Sequence, residues 1–364
     1  MNRRFFLHSL LAGGLVAKSL RLSALTHNRK SLKILVLGGT QFVGPAIVNA
    51  ANQGKHQVVL FNRGISNPTL FPQLRWIKGD REKGKRAYNS LQKENWDIVI
   101  DVWPQQSSLV EEATQALLGH AKHYIFISSI AVYQDFQQVG LHEESEVVNL
   151  DLATSEWAYP EEKLAAERLV QERFPDRHTI LRAGPIKGWR DPALDLLYWC
   201  IKLRQEDILI APGSGMDPIQ FVDVRDVGKF CVQAAEQGLS GIYNCVGPAE
   251  PLLWHTFLHQ AKEHFHSKAK LLWAGEEFLQ QHQVRSFSDL PLWAPLSEDR
   301  GFMQISNHKI RQTGFVFTPL HQTLDDCLSW YQKNMSTKSL ADFAKEGIGL
   351  DPSKAARLIK LLQE

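Results

Sequence analysis

The 364-residue sequence has four cysteines, Cys200, Cys231, Cys245 and Cys327, widely spaced among apolar residues and without a C-x-x-C pair. That spacing argues against a thiolate metal site or a dithiol redox pair; no metal is expected, and the four read as buried free thiols. Acid is missing from residues 1–30, which hold Arg3, Arg4, Lys18, Arg21, Arg29 and Lys30. Taking those six from the 41 bases leaves 35 against 39 acids, so the remainder carries a formal −4 although the whole chain carries +2. A body of that sign has no electrostatic footprint for nucleic acid, and no nucleic-acid partner is expected. The sequence also lacks internal repeats and low-complexity tracts. The apolar stretch Phe5–Ala17 is too short to span a bilayer unaided.

What the N-terminus does contain is Met1-Asn-Arg-Arg-Phe-Phe-Leu-His8, which resembles the twin-arginine export motif, with Arg3-Arg4, Phe6 and Leu7 in register. Asn2 and His8 depart from its usual residues. Residues 1–30 therefore read as a twin-arginine signal segment, with the export machinery as a partner and an exported or periplasmic location. The alternative is a basic N-terminus on a cytoplasmic protein. The oligomeric state is left open.

From residue 31 onward, strand-like and helix-like segments alternate, the pattern of an α/β fold with a doubly wound parallel sheet. Strands are expected at 33–38, 56–61, 74–78, 97–102, 123–128 and 178–183, with helices near 43–53, 83–93, 105–120 and 156–174. This divides the chain into a Rossmann core over 31–183, a mainly substrate-binding lobe over 184–335 and a C-terminal helical extension over 336–364. Residues 219–246 are expected to add to the sheet. In the extension, Asp351-Pro352 reads as a helix start, with Leu358, Ile359 and Leu362 on one packing face.

The first strand runs into Gly38-Gly39-Thr40-Gln41-Phe42-Val43-Gly44 and then a helix-compatible segment. Glycines there permit a sharp turn and let a pyrophosphate lie against the amides of a helix N-terminus. The central glycine of the standard patterns falls at Gln41, whose side chain is expected to turn away and leave the backbone open. At the end of the second strand a dinucleotide-binding unit places an acid for the ribose 2′-OH, and here stand Asn62 and Arg63. Without the carboxylate a 2′-phosphate is not repelled, and a guanidinium can pair with it. NADP(H) is thus slightly favoured over NAD(H); otherwise Arg63 is a solvated turn residue. The third strand ends at Asp80-Arg81, where the carboxylate can reach the adenine amino group.

The strand Tyr124–Ile127 leads into Ser128-Ser129, and ligands in open parallel sheets bind at such carboxyl ends. Some thirty residues on, Tyr159 and Lys163 stand four apart, on one face of a helix. A nearby ammonium favours phenolate and lowers the tyrosine pKa toward neutrality, which suits a general acid/base. A second pair at this spacing, Tyr198 and Lys202, follows a Gly/Pro-rich loop without a serine-bearing strand and reads as packing.

Taken together, these stretches resemble the extended short-chain dehydrogenases/reductases of the NAD(P)-dependent epimerase/dehydratase group. Leu181-Arg182, Phe221-Val-Asp-Val-Arg-Asp226, Tyr243-Asn244 and Gly314–Leu320 add to the match, which covers about residues 31 to 332. The resemblance implies that Ser129, four residues before Tyr133, is the catalytic serine. It makes Tyr159 the acid/base, and Lys163 the residue that lowers its pKa and holds the nicotinamide ribose. It also implies hydride exchange at the nicotinamide C4 with a small polar, sugar-like substrate. Pro185 and Ile219 replace the Asn and Arg with which sugar-nucleotide members hold a nucleotide diphosphate. Gln41, Asn62-Arg63 and Gly79-Asp80-Arg81 resemble an atypical branch that includes chloroplast stem-loop RNA-binding proteins. An RNA-binding protein and a non-catalytic NADP(H) sensor are therefore the alternatives to an enzyme.

Overall fold

The short apolar runs Ile34–Leu37, Val58–Phe61 and Tyr124–Ile127 are buried in the computed structural model, which describes residues 30–103, 105–151 and 157–364. The export segment expected in residues 1–29 lies outside the described residues. Strands apolar on both faces need cover on both sides. The chain forms β1 (Lys33–Leu37), β2 (Gln57–Asn62), β3 (Arg75–Lys78), β4 (Trp96–Asp101), β5 (Ala121–Ser129) and β6 (His178–Ala183). Three short pairs follow: β7 (Ile186–Lys187) with β10 (Val222–Asp223), β8 (Ile208–Pro212) with β13 (Lys270–Ala274), and β9 (Pro218–Ile219) with β12 (Leu252–Leu253). Of residues 219–246, expected to add to the main sheet, only β11 (Gly241–Cys245) does so, beside β6, because 218–219 and 222–223 pair instead with β12 and β7. That sheet is parallel throughout, in the order β11-β6-β5-β4-β1-β2-β3.

Alternation along β1 sorts the helices. Ile34 and Val36 pack in one core with α1 (Val43–Gln53) and α5 (Val224–Gln237), whereas Leu35 and Leu37 pack in another with α2 (Ser107–Leu117) and α3 (Tyr159–Arg173). Each such fully buried side chain contributes roughly 1.5–3 kcal/mol of transfer free energy. α1 and α5 come so close that a Cβ on Gly228 would stand 2.5 Å from the Ala46 carbonyl oxygen. A third core unites α4 (Asp195–Gln205), α6 (Trp254–His264), α7 (Glu276–Gln281) and α9 (Leu320–Asn334) around Trp199, Trp254 and Trp293. The short α8 (His308–Gln312) packs near β11 through Ile310. α10 (Leu340–Lys345) and α11 (Pro352–Leu361) close on the third core through Phe343 and Leu358, with Ile359 and Leu362 against it. Asp351 caps α11 by accepting from the amides of Ser353 and Lys354. Residues Ser31–Glu364 form one compact unit.

One expected helix is absent. Residues 83–93 form short 3-10 turns, because Gly84 at φ +77 breaks the run while Tyr88 and Leu91 turn into the core. Tyr198 is buried in the third core and Lys202 pairs with Glu206 at 2.6 Å, so this second Tyr/Lys pair is packing. The four cysteines are free and buried.

Strand order reverses between β1 and β4, since the chain leaves β1 toward β2 and returns on the other side. A crevice opens at such a switch point, beyond the carboxyl ends of the strands.

Candidate functional site

A cleft of about 510 Å³ occupies this crevice, and Gly38 to Gly44, Asn62, Arg63, Asp80 and Arg81 all line it. The turn is built on close approach. A Cβ on Gly44 would stand 2.3 Å from the Gly39 Cα, and one on Gly38, at φ +118, would meet Val102 at 2.4 Å. The backbone of α1 thus presses directly on the turn. Gln41 lies outside that contact, which explains how a side chain is accommodated there. Its amide donates to Ser66 Oγ at 3.3 Å, on the loop that follows β2.

Side chains hold the turn's carbonyls. Asn62 Nδ2 donates to Gly38 O at 2.7 Å, Asn67 Nδ2 to Thr40 O at 2.6 Å, and Arg190 Nε to Gln41 O at 3.1 Å. No side chain caps the N-terminus of α1. Amides left without acceptors at a helix start make an anion site. A cradle that a Cβ would fill and an uncapped helix start fit the diphosphate of a dinucleotide. Trp103 lines the cleft as well, and its buried indole N–H lacks an acceptor among the described residues.

The other predicted cofactor residues differ in what they offer. Asn62 is spent on the turn, with its Oδ1 accepting from Gly64 N at 2.8 Å. Arg63 is half-exposed and meets Glu82 only at 3.6 Å. Asp80 caps the next turn by accepting from Glu82 N. Arg81 is buried, with its guanidinium on Asp101 at 2.6 and 3.0 Å and on the Leu109 carbonyl at 2.7 Å. Burial alone would lower its pKa, but Asp101 holds it above the ordinary arginine value. Its charge is committed to the scaffold.

At the ends of β5 and α3 stand Ser129, Tyr159 and Lys163. Ser128 and Ser129 divide the work. Ser128 is buried and donates to Glu167 Oε1 at 2.5 Å, within a network in which Arg182 also pairs with Glu167 at 2.8 Å. Ser129 points the other way, and its hydroxyl accepts from Ala131 N at 3.1 Å. Tyr159 opens α3, Pro160 follows it, and the side chain is 47% exposed.

Lys163 is buried one turn along, with its ammonium donating to Trp103 O and Ile127 O at 2.8 Å each and lying 5.8 Å from the Tyr159 ring centroid. Desolvation pulls Lys163 down to about 8, opposed by Asp101 and Glu167. The expected lowering of the Tyr159 pKa is not found. Desolvation raises it, and the hydrogen bond with Ser129 offsets this only in part. The physical reason is that the ammonium is spent on two carbonyls, 5.8 Å from the ring centroid.

Several residues of the site escaped the sequence reading. Asp101 accepts from Arg81, Tyr124 and the Trp103 amide, and so fixes the end of β4. An acid ending an apolar strand is its only signal. Asn67 had a turn signal in Asn67-Pro68. Arg190 had none. A second cavity of about 330 Å³ lies among Phe221, Thr256, Phe317 and Pro319, and no predicted site residue lines it.

The family model of the NAD dependent epimerase/dehydratase family matches residues 34–245, more than half of the chain. A chloroplast stem-loop binding protein of 41 kDa from Arabidopsis thaliana is 32% identical over 238 residues, which are 59% of this chain and 58% of that protein. A 2'-dehydrokanamycin reductase from Streptomyces kanamyceticus is 26% identical over 160 residues, 43% of each chain. The chain thus spans about half the length of the curated relatives it matches. A solved UDP-glucuronic acid 4-epimerase from Bacillus cereus, in complex with NAD, shares the fold at TM-score 0.59 and 16% identity, over 85% of this chain and 99% of that one.

Proposed function

The chain belongs to the NAD dependent epimerase/dehydratase family, and from that premise we propose that it is an oxidoreductase or epimerase/dehydratase working through Ser129, Tyr159 and Lys163. Its substrate in this reading is a small polar molecule with a hydroxyl or carbonyl carbon, of a sugar-derived kind. The observation that carries the proposal is the convergence of Gly38 to Gly44, Asn62, Arg63, Asp80 and Arg81 on one cleft, with Lys163 bonded to the carbonyl of Trp103 on its wall.

Gly38 to Gly44 would hold the diphosphate, and Lys163, with one N–H still unspent, the nicotinamide ribose. The nicotinamide, when bound, supplies hydride acceptance and donation. Tyr159 moves the proton of the substrate hydroxyl, with Ser129 orienting the oxygen. A phenol is protonated at neutral pH already at its ordinary pKa of ~10, and burial shifts it further up, so in the free chain Tyr159 is a proton donor. A base role needs a cation nearer its oxygen than Lys163 now stands. Arg63, loosely paired and without an acid at Asn62, supports NADP(H) as the cofactor.

A panel of sugars and alcohols assayed with both dinucleotides tests the catalytic claim. Turnover by the wild type is expected, falling a hundredfold or more in Tyr159→Phe with dinucleotide binding intact. No Tyr159-dependent turnover on the panel removes the claim. The name of the chloroplast relative favours RNA binding as a second reading, and the excess of acid over base in residues 31–364 weighs against it. For residues 1–30 we propose twin-arginine export. A reporter fused to them should leave the cytoplasm, and export that survives Arg3→Lys with Arg4→Lys contradicts this.

A further inference from the structure

Arg190 stands out because it joins two parts of the chain 149 residues apart. It belongs to the segment between β7 and α4, and that segment is pinned on both sides of it. Lys187 Nζ meets Asp195 Oδ2 at 2.5 Å and Asp191 Oδ2 at 3.6 Å, and Asp191 Oδ1 accepts from Ala193 N at 2.9 Å. Gly188, at φ +105, would bring a Cβ to 3.3 Å from Thr323. Between these anchors Arg190 adopts φ +63, a left-handed conformation that is strained for a non-glycine residue. That conformation delivers Nε to the carbonyl of Gln41, within the glycine turn.

Only Nε has a partner: among the described residues, no carboxylate pairs with this guanidinium and nothing accepts from its two terminal nitrogens. Arg81 and Arg182, by contrast, are each neutralised by a buried acid. Desolvation lowers the Arg190 pKa with no anion to offset it. Trp189 flanks the group, with its ring centroid 5.5 Å from the guanidinium carbon. A half-buried cation with two unspent donors beside an anion-binding turn is arranged for a phosphate.

We propose that Arg190 is a further cofactor-binding residue, a strap reaching across to the glycine turn and pairing with the diphosphate of the bound dinucleotide. The inference rests on the cofactor reading above. A diphosphate also occurs in nucleotide-linked substrates, but contact with Gln41 places Arg190 on the cofactor's side.

Equilibrium binding of NADH, NADPH, ADP and adenosine to wild type, Arg190→Gln and Arg190→Lys separates the possibilities. Arg190→Gln should weaken the dinucleotides and ADP roughly tenfold or more, leave adenosine within twofold and flatten the salt dependence of dinucleotide binding; Arg190→Lys should recover part of the loss. Equal binding of ADP by wild type and Arg190→Gln overturns the proposal, and so does an equal loss of adenosine, which marks a collapsed turn. If Arg190→Gln does not fold, the decision passes to Arg190→Lys, where unchanged ADP affinity and salt dependence count against the proposal. Effects on a uridine diphosphate sugar without effects on ADP assign Arg190 to the substrate instead. A wild type that binds no dinucleotide refutes the cofactor reading itself.

Discussion

The two ends of the candidate site are prepared to different degrees. At the cofactor end, side chains from the end of β2, the loop after it and the β7–α4 segment clasp the carbonyls of Gly38, Thr40 and Gln41, and Gly39 and Gly44 are in backbone contact. That geometry is complete in the chain alone. At the proton-transfer end, Tyr159 is half-exposed with a raised pKa, and the Lys163 ammonium is bound to two carbonyls. A diphosphate site needs fixed donors before its ligand arrives, because preorganisation is what makes charge recognition favourable. A proton relay needs its final geometry only around the reacting oxygen. The difference separates a turn that is fixed in the chain alone from a Tyr159 and Lys163 pair that is not yet arranged for proton transfer.

The largest effect should come from breaking the prepared end. In Gly44→Ala the added methyl has only the Gly39 backbone to displace, and overpacking of that kind costs about 1–3 kcal/mol. Dinucleotide affinity measured by titration is expected to fall roughly tenfold to a hundredfold, with a lower Tm. Unchanged affinity would mean that the turn is looser than described.

The unprepared end should respond to pH. Lys163 carries its proton below about 8 and loses it above. If its ammonium is needed, the reaction rate falls by up to tenfold per pH unit above that value, and Lys163→Arg shifts the fall upward. The same depressed pKa makes the buried ammonium a cost to folding at neutral pH. The unfolded chain binds the proton more tightly between about 8 and the ordinary lysine value of ~10.4, so this cost is relieved as pH rises through that window. A rate flat from pH 7 to 10 removes the lysine from the mechanism.

The smallest effect is expected at Gln41, whose side chain turns to Ser66 and leaves the Gly39–Gly44 contact alone. Dinucleotide affinity in Gln41→Gly should stay within about twofold. A large gain would show that the natural turn is compromised.

Much of the prepared end was legible in the sequence, because glycine spacing and apolar runs are local consequences of backbone sterics and burial. β1, α1 and the residues of the turn stand where spacing put them. Long-range consequences were not legible. Arg81 and Arg63 look alike in sequence, yet a buried Asp101 twenty residues on takes the first and leaves the second near the surface. Arg190 acquires its place only through the path of its loop. The raised Tyr159 pKa depends on where the Lys163 ammonium finds its acceptors, and i, i+4 spacing does not decide that.

The proposed function depends first on a dinucleotide site in this chain. The most direct test is to denature the purified protein, identify the released nucleotide and titrate the emptied, refolded chain with NAD(H) and NADP(H). Saturable binding of one dinucleotide per chain, with NADP(H) preferred, is the expected result. A folded chain that releases no dinucleotide and binds neither form would contradict it.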